Sequence, residues 1–201
     1  MQLVVGLGNP GAKYTRTRHN VGFRAAEEVA RICGARIDQS RYDALLGTGR
    51  HHGDSVMVLQ PQTFMNASGE AVGPAARFYR VELNSIVVIH DELDFEFGRI
   101  SIKVGGGDGG HNGLKSLRQH LGQGEFIRVR VGVGRPPAQW DPADWVLSNF
   151  SSEEEAALEG SDGLLSRAAQ AALLALAEGP KKAMNAFNIK PKQGKQSQEK
   201  Y

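Results

Sequence analysis

Between residues 105 and 110 only Asp108 interrupts a run of glycine. Glycine adds no side chain to a core and loses much backbone freedom on folding, so such a run does not serve packing. It suits close approach by another backbone or a ligand. Residues with chemical potential flank it. His90-Asp91 ends the apolar run 86–89, and His111-Asn112 opens a helix with Leu114, Leu117 and Leu121 on one face. A strand end and a helix start are thus brought to one loop.

The pattern recurs upstream. Predicted strands at 2–5, 55–60 and 85–90 each empty into polar loops, which carry Asn9 and His19, Asn66, and Asp91 respectively. In open α/β sheets that edge binds ligands. Helical spacing predicts helices over 21–33, with Asn20 as a good N-cap, and from about 68 to 79. Residues 44–49 and 55–60 read as a hairpin turning through 51–54, and 83–89 as a continuously apolar central strand. Alternation over 100–104 and 126–133 puts Ser101 with Lys103, and Arg128 with Arg130, on faces away from the core. Residues 134–145, with three prolines, read as irregular; Ser151-Ser152 before Glu154-Glu155 marks a helix start; 164–178 and 181–187 read as helices.

With 201 residues, 40% of them hydrophobic, the chain suits one domain with a real core. The expectation is an α/β single-domain globule over residues 1–188, a twisted mixed sheet flanked by helices, and a basic, disordered tail over 189–201. The lone cysteine, Cys33, forbids an intrachain disulfide and reads as core filler. Neither a secretory signal nor a membrane-spanning run is seen, so a cytoplasmic protein with no membrane partner is expected. Net charge is only +2, yet between Arg99 and Arg135 seven basic residues face two acidic ones. That surplus is either a solvated face or a polyanion site.

Several motifs need weighing. Gly6-Leu-Gly8-Asn9-Pro10-Gly11 matches the dinucleotide fingerprint, but no helix opens at its third glycine, and the acidic residue expected about 20 positions on would fall inside a helix. His51, His52 and Asp54 could ligate a metal, but adjacent histidines on a strand point to opposite faces. They read as a solvated turn, and no metal set is expected. In isolation His19 reads as a histidine satisfying local backbone at a helix start, and Asn66 as a cap. Together with Asp91 they read differently. Imidazole takes a proton near neutral pH, a carboxylate fixes its tautomer, and asparagines with backbone amides hold a carbonyl and its oxyanion. The amides at Asn112–Gly113, opening a helix, suit that last role. Without a nucleophile elbow, the set suggests attack by water on an ester or amide near a phosphate-rich substrate. The competing classes are a nucleotide-dependent oxidoreductase built on Gly6 to Gly11 and a non-catalytic RNA-binding module that uses the Arg128/Arg130 patch.

The segments GLGNPG (6–11), Tyr14, TRHN (17–20), PQTFMNASG (61–69), HDELD (90–94) and GGGDGGHNGL (105–114) together resemble the bacterial peptidyl-tRNA hydrolase family. The resemblance implies a monomeric α/β enzyme with a mixed sheet. It implies hydrolysis of the ester joining a peptide to the terminal ribose of tRNA, without a cofactor or obligate protein partner. Carried over by position, His19 is the catalytic base and Asp91 orients it. Asn9, Asn66 and Asn112 position substrate and water. Met65 and His111 line the cleft, Tyr14 joins the substrate-binding set, and Lys103 and Arg130 grip the tRNA's terminal phosphate.

Overall fold

A computed structural model describes residues 1–188; the tail assigned to 189–201 lies outside the described residues. Seven strands make one sheet: β1 (Gln2–Gly6), β2 (Gln39–Arg41), β3 (Ala44–His51), β4 (Asp54–Pro61), β5 (Ile86–Glu92), β6 (Ile100–Val104) and β7 (Ile127–Gly132). Their order is β2-β3-β4-β1-β5-β7-β6. The central strands β4, β1, β5 and β7 run parallel, while β2 and β3 at one side and β6 at the other pair antiparallel. The sheet is mixed, as expected.

Composition explains the order. Leu3, Val4, Val5 and Ile86 through Ile89 are buried on both faces, which only central strands allow. Val4, Val87 and Ile89 enter one core with α1 (Val21–Cys33), α6 (Leu164–Glu178) and α7 (Pro180–Phe187). Leu3, Val5, Ile86 and Val88 enter a second core with α2 (Ser68–Phe78) and α3 (Asn112–Leu121). Alternation along each strand feeds the two layers.

Two local expectations are corrected, and one strand carries no mark in the sequence. The strand expected from residue 83 starts at Ile86, because Leu83–Ser85 turns as a 3-10 helix through the polar pair Asn84-Ser85. The segment read as irregular contains α4 (Pro142–Val146), where Asp141 accepts the Ala143 amide at 2.7 Å and Pro142 stands at the first helical position. Strand β2 was not legible: its three residues, Gln39, Ser40 and Arg41, are all exposed, so no alternation marks it. The expected helix start near Ser151 is α5 (Ser152–Leu158), with a complete capping box between Ser151 and Glu154.

Two glycines of the 6–11 motif, Gly6 and Gly8, serve packing. A Cβ at Gly6 would lie 2.4 Å from the Gly22 carbonyl oxygen, and one at Gly22 would lie 2.4 Å from that of Ile89. Gly8 faces the Phe23 ring at 2.7 Å in the same sense. The space a pyrophosphate would need is filled by α1, which meets β1 and β5 backbone to backbone. The turn just before α1 is thereby brought to the end of β5. Among the described residues no helix is long and apolar enough to cross a membrane.

Candidate active site

Loops after β1, β4, β5 and β7, with the start of α3, enclose a cleft of about 840 Å³. Asn9, His19, Met65, Asn66, Asp91, His111 and Asn112 all line it, and Lys103 and Arg130 line it further along. Tyr14 is not among the lining residues; it stands on the 3-10 turn Ala12–Tyr14 with Lys13 over its ring.

At the floor, His19 Nδ1 and Asp91 Oδ1 are 2.9 Å apart. A carboxylate accepts, so Nδ1 carries a proton and Nε2 is the nitrogen left to exchange one. His111 Nε2 meets the same Asp91 oxygen at 2.9 Å. Burial pushes the Asp91 carboxyl up, but the two imidazoles and their hydrogen bonds outweigh it and hold the group far below the usual carboxylate range. Burial likewise opposes a charge on His19, yet the Asp91 charge and hydrogen bond raise its pKa above the ordinary value. His90 differs: fully buried, with His111 and Arg128 nearby, it is lowered to about 3 and stays neutral. Its Nδ1 donates to the Asp91 carbonyl at 2.7 Å.

The asparagines divide by environment. Asn20 occupies the N-cap position of α1 but makes no capping bond. Its Oδ1 accepts the Asn9 amide and its Nδ2 donates to the Asn9 carbonyl, both at 2.9 Å. Asn9 Oδ1 in turn accepts the Met65 amide at 2.8 Å, which leaves Asn9 Nδ2 as a free donor in the cleft. Asn20 is thus a positioning residue that sequence reasoning took for a cap. Side chains of Asn66 and Asn112 make no hydrogen bond among the described residues. The amide expected to be free at Gly113 is not: His111 Nδ1 accepts it at 3.2 Å, together with that of Leu114 at 3.4 Å.

The glycine run solves a routing problem. Strand β6 ends at Val104 beside Ile127, at the far end of β7 from Val131, which pairs with Asp91. Residues 105–110 carry the chain back to the cleft. Gly105, Gly106, Gly109 and Gly110 adopt φ of 66°, 96°, 59° and 82°, where side chains are strained. Arg128 holds the crossing by donating to the carbonyls of Gly107 at 2.5 Å and Gly106 at 2.7 Å. Arg128 and Arg130, expected together on an outward face, are therefore separated: Arg128 is buried and committed to the loop. Arg130 stays half-buried, donating to Ser101 Oγ at 3.0 Å. Lys103 is exposed, its chain passing over Gly106.

Arg18 also escaped notice. It is buried, pairs with Glu154 at 2.8 Å and stacks 3.9 Å from the Trp145 ring. Its amide donates to the Ser148 carbonyl at 3.0 Å. The turn carrying His19 is thus pinned to the α4–α5 connection. Only the Glu154 half was legible, through its capping box.

His19, Asp91 and His111 place one ligand atom each within 4.8 Å of one another, a set that could close on a metal ion. The tautomers argue otherwise. Coordination by His111 Nε2 would move its proton to Nδ1, against the amides of Gly113 and Leu114. The three groups fit a hydrogen-bonded carboxylate better. The pair His51 and His52 stacks within the β3–β4 turn, with ring centroids 4.2 Å apart.

A family model described as peptidyl-tRNA hydrolase matches residues 3–198. A relative named peptidyl-tRNA hydrolase from Anaeromyxobacter dehalogenans is 51% identical over 188 residues, covering 94% of this chain and 96% of the relative. One of the same name from Mycobacterium tuberculosis is 49% identical over 184 residues, 91% of this chain and 95% of the relative. The crystal structure of peptidyl-tRNA hydrolase from Acinetobacter baumannii superposes with a TM-score of 0.86 at 37% identity, over 94% of this chain and 95% of that one.

Proposed function

The chain belongs to the peptidyl-tRNA hydrolase family, and from that premise we propose that it hydrolyses the ester between peptide and tRNA with His19 as the base that activates water. The observation that carries this reading is the partly buried His19–Asp91 pair at 2.9 Å on the cleft, in which Asp91 takes Nδ1 and leaves Nε2 as the nitrogen for proton exchange. Nε2 takes a proton from water as the water oxygen bonds to the ester carbon, and the carbonyl π pair moves onto its oxygen. When the intermediate collapses, the bond to the ribose oxygen breaks and the imidazolium returns the proton there. The peptide leaves as a carboxylic acid and the tRNA as an alcohol. Asp91 stabilises the transient imidazolium.

The free Asn9 Nδ2 donates to a substrate carbonyl, and the unpartnered amides of Asn66 and Asn112 hold substrate and water. Lys103 and Arg130 take the terminal phosphate at the cleft's far end. A purely RNA-binding role would leave the hydrogen-bonded histidine–carboxylate pair without a use.

Single-turnover release of labelled N-acetyl-aminoacyl-tRNA into free tRNA and N-acetyl amino acid, with a chelator present, tests this. His19→Ala and Asp91→Asn are each expected to slow cleavage by about 10²–10⁴-fold while tRNA binding holds. Absence of cleavage by folded wild type would overturn the activity. Full cleavage by His19→Ala would keep the activity and move the base elsewhere.

A further inference from the structure

Asp91 serves two imidazoles with one oxygen. Oδ1 accepts from His19 Nδ1 and from His111 Nε2, both at 2.9 Å, and the two rings lie 5.2 Å apart between centroids. The His111 tautomer follows from its other side. Nδ1 accepts the Gly113 and Leu114 amides, so the proton must stand on Nε2. One side chain thus begins α3 and donates to the carboxylate. The water-activation steps above make no use of that second donor.

We propose, building on the hydrolase reading, that His111 is a positioning residue: its Nε2–H shares Asp91 Oδ1 with His19 and so limits the carboxylate's hold on the His19 proton, while its Nδ1 ties that contact to the start of α3. A buried carboxylate with one donor pulls hard on that donor's proton. A second donor spreads the charge and weakens the pull. Placing the second donor at the end of the glycine run links the base to the loop that Arg128 holds.

The surroundings leave this balance to Asp91 and its donors. His90, on β5, has its ring 5.0 Å from that of His111, but its Nδ1–H is committed to the Asp91 carbonyl. Glu92, Lys103, Arg128 and Arg130 on β5 to β7, and Asp141 before α4, face the same cleft and hydrogen-bond neither His19 nor His111. Arg18, beside His19, turns away to Glu154. From the remaining loops come Asp94 and Arg135, which pair with each other, Asp108, which pairs with Arg118, and the uncharged Asn9, Met65 and Asn66.

His111→Asn separates the two roles. Asparagine caps a helix well but cannot reach Asp91 while doing so. The titration of the His19 ring, followed by NMR in the full chain, needs no substrate. Its midpoint is expected to rise by about one pH unit in His111→Asn, and the acid limb of the single-turnover rate to rise with it. An unmoved His19 midpoint in the folded variant would reduce His111 to a helix cap and overturn the proposal. A raised midpoint in a protein that cleaves no ester would uphold the shared carboxylate and remove the hydrolase reading instead. His111→Ser, also a good cap without the reach, carries the same test if the asparagine variant misfolds.

Discussion

Arg128 and Arg130 stand two residues apart on one face of β7, yet their environments separate them. Arg128 is buried and donates to two loop carbonyls, whereas Arg130 keeps part of its guanidinium open to the cleft beside Lys103. Alternation revealed the shared face; it could not reveal that a glycine run crosses over one of the two. A phosphate bound by Lys103 and Arg130 releases condensed counterions from the RNA. Lys103→Ala and Arg130→Ala are therefore each expected to weaken tRNA binding and to flatten the log–log salt dependence by about 0.7–0.9 per lost contact. Filter-binding titrations across a salt series measure both. If neither affinity nor slope moved, the phosphate would lie elsewhere.

The turn carrying His19 is placed by backbone contact. The Leu7 amide donates to the Ile89 carbonyl at 3.0 Å and the Phe23 amide to the Leu7 carbonyl at 3.1 Å, so β1, β5 and the first turn of α1 lock together. Gly22 sits in that lock. Its added methyl in Gly22→Ala would meet two backbone oxygens, Ile89 at 2.4 Å and Leu7 at 2.5 Å, neither of which can rotate away. The expected cost is about 1–3 kcal/mol of stability, read from the urea midpoint, with slower turnover because the His19 turn precedes α1 directly. An unchanged midpoint would show that α1 recedes freely. Strands β1 and β5 and helix α1 were legible because burial on a regular period leaves a mark in the sequence. The close approach at Gly6 and Gly22 left a mark too, but one that also fits a nucleotide loop. Chemistry alone marked His19 and Asp91 as partners, across 72 residues of chain. The Asn20–Asn9 clasp and the Arg18 strut left no such mark, since an asparagine before a helix reads as a cap and a buried arginine reads as exposed.

For the whole molecule, the cleft makes stability depend on pH. His90 is fully buried and lowered to about 3, so in mild acid the folded state holds its imidazole neutral while the unfolded chain protonates it near 6.5. The unfolded state then binds more protons, and stability falls as pH drops from 6.5 toward the folded value. His19 works in the opposite sense: its folded pKa is raised, so the stability it contributes is fully present below 6.5 and lost as pH rises through that folded value. As pH falls below 6.5 His19 becomes protonated in both states, and whatever slope it still adds has the opposite sign and stays in any His90 variant. His51, lowered by partial burial and by its neighbour His52, has the sign of His90 but stays in any His90 variant. Asp91, held low by burial's losing contest with two imidazoles, gives up its contribution only below the unfolded carboxylate value of 3.8. Glu28 and Glu153, held below the ordinary glutamate range by Arg31 and by local hydrogen bonds, also stay in the variant, so between pH 6 and 4.5 the difference in slope isolates His90. Wild type is expected to lose up to about 1.4 kcal/mol per pH unit there, and His90→Gln to lose distinctly less, whatever its absolute stability. Urea unfolding at several pH values gives both slopes. Equal slopes would mean that His90 takes up its proton in the folded cleft, and that the carboxylate floor admits more water than its burial indicates.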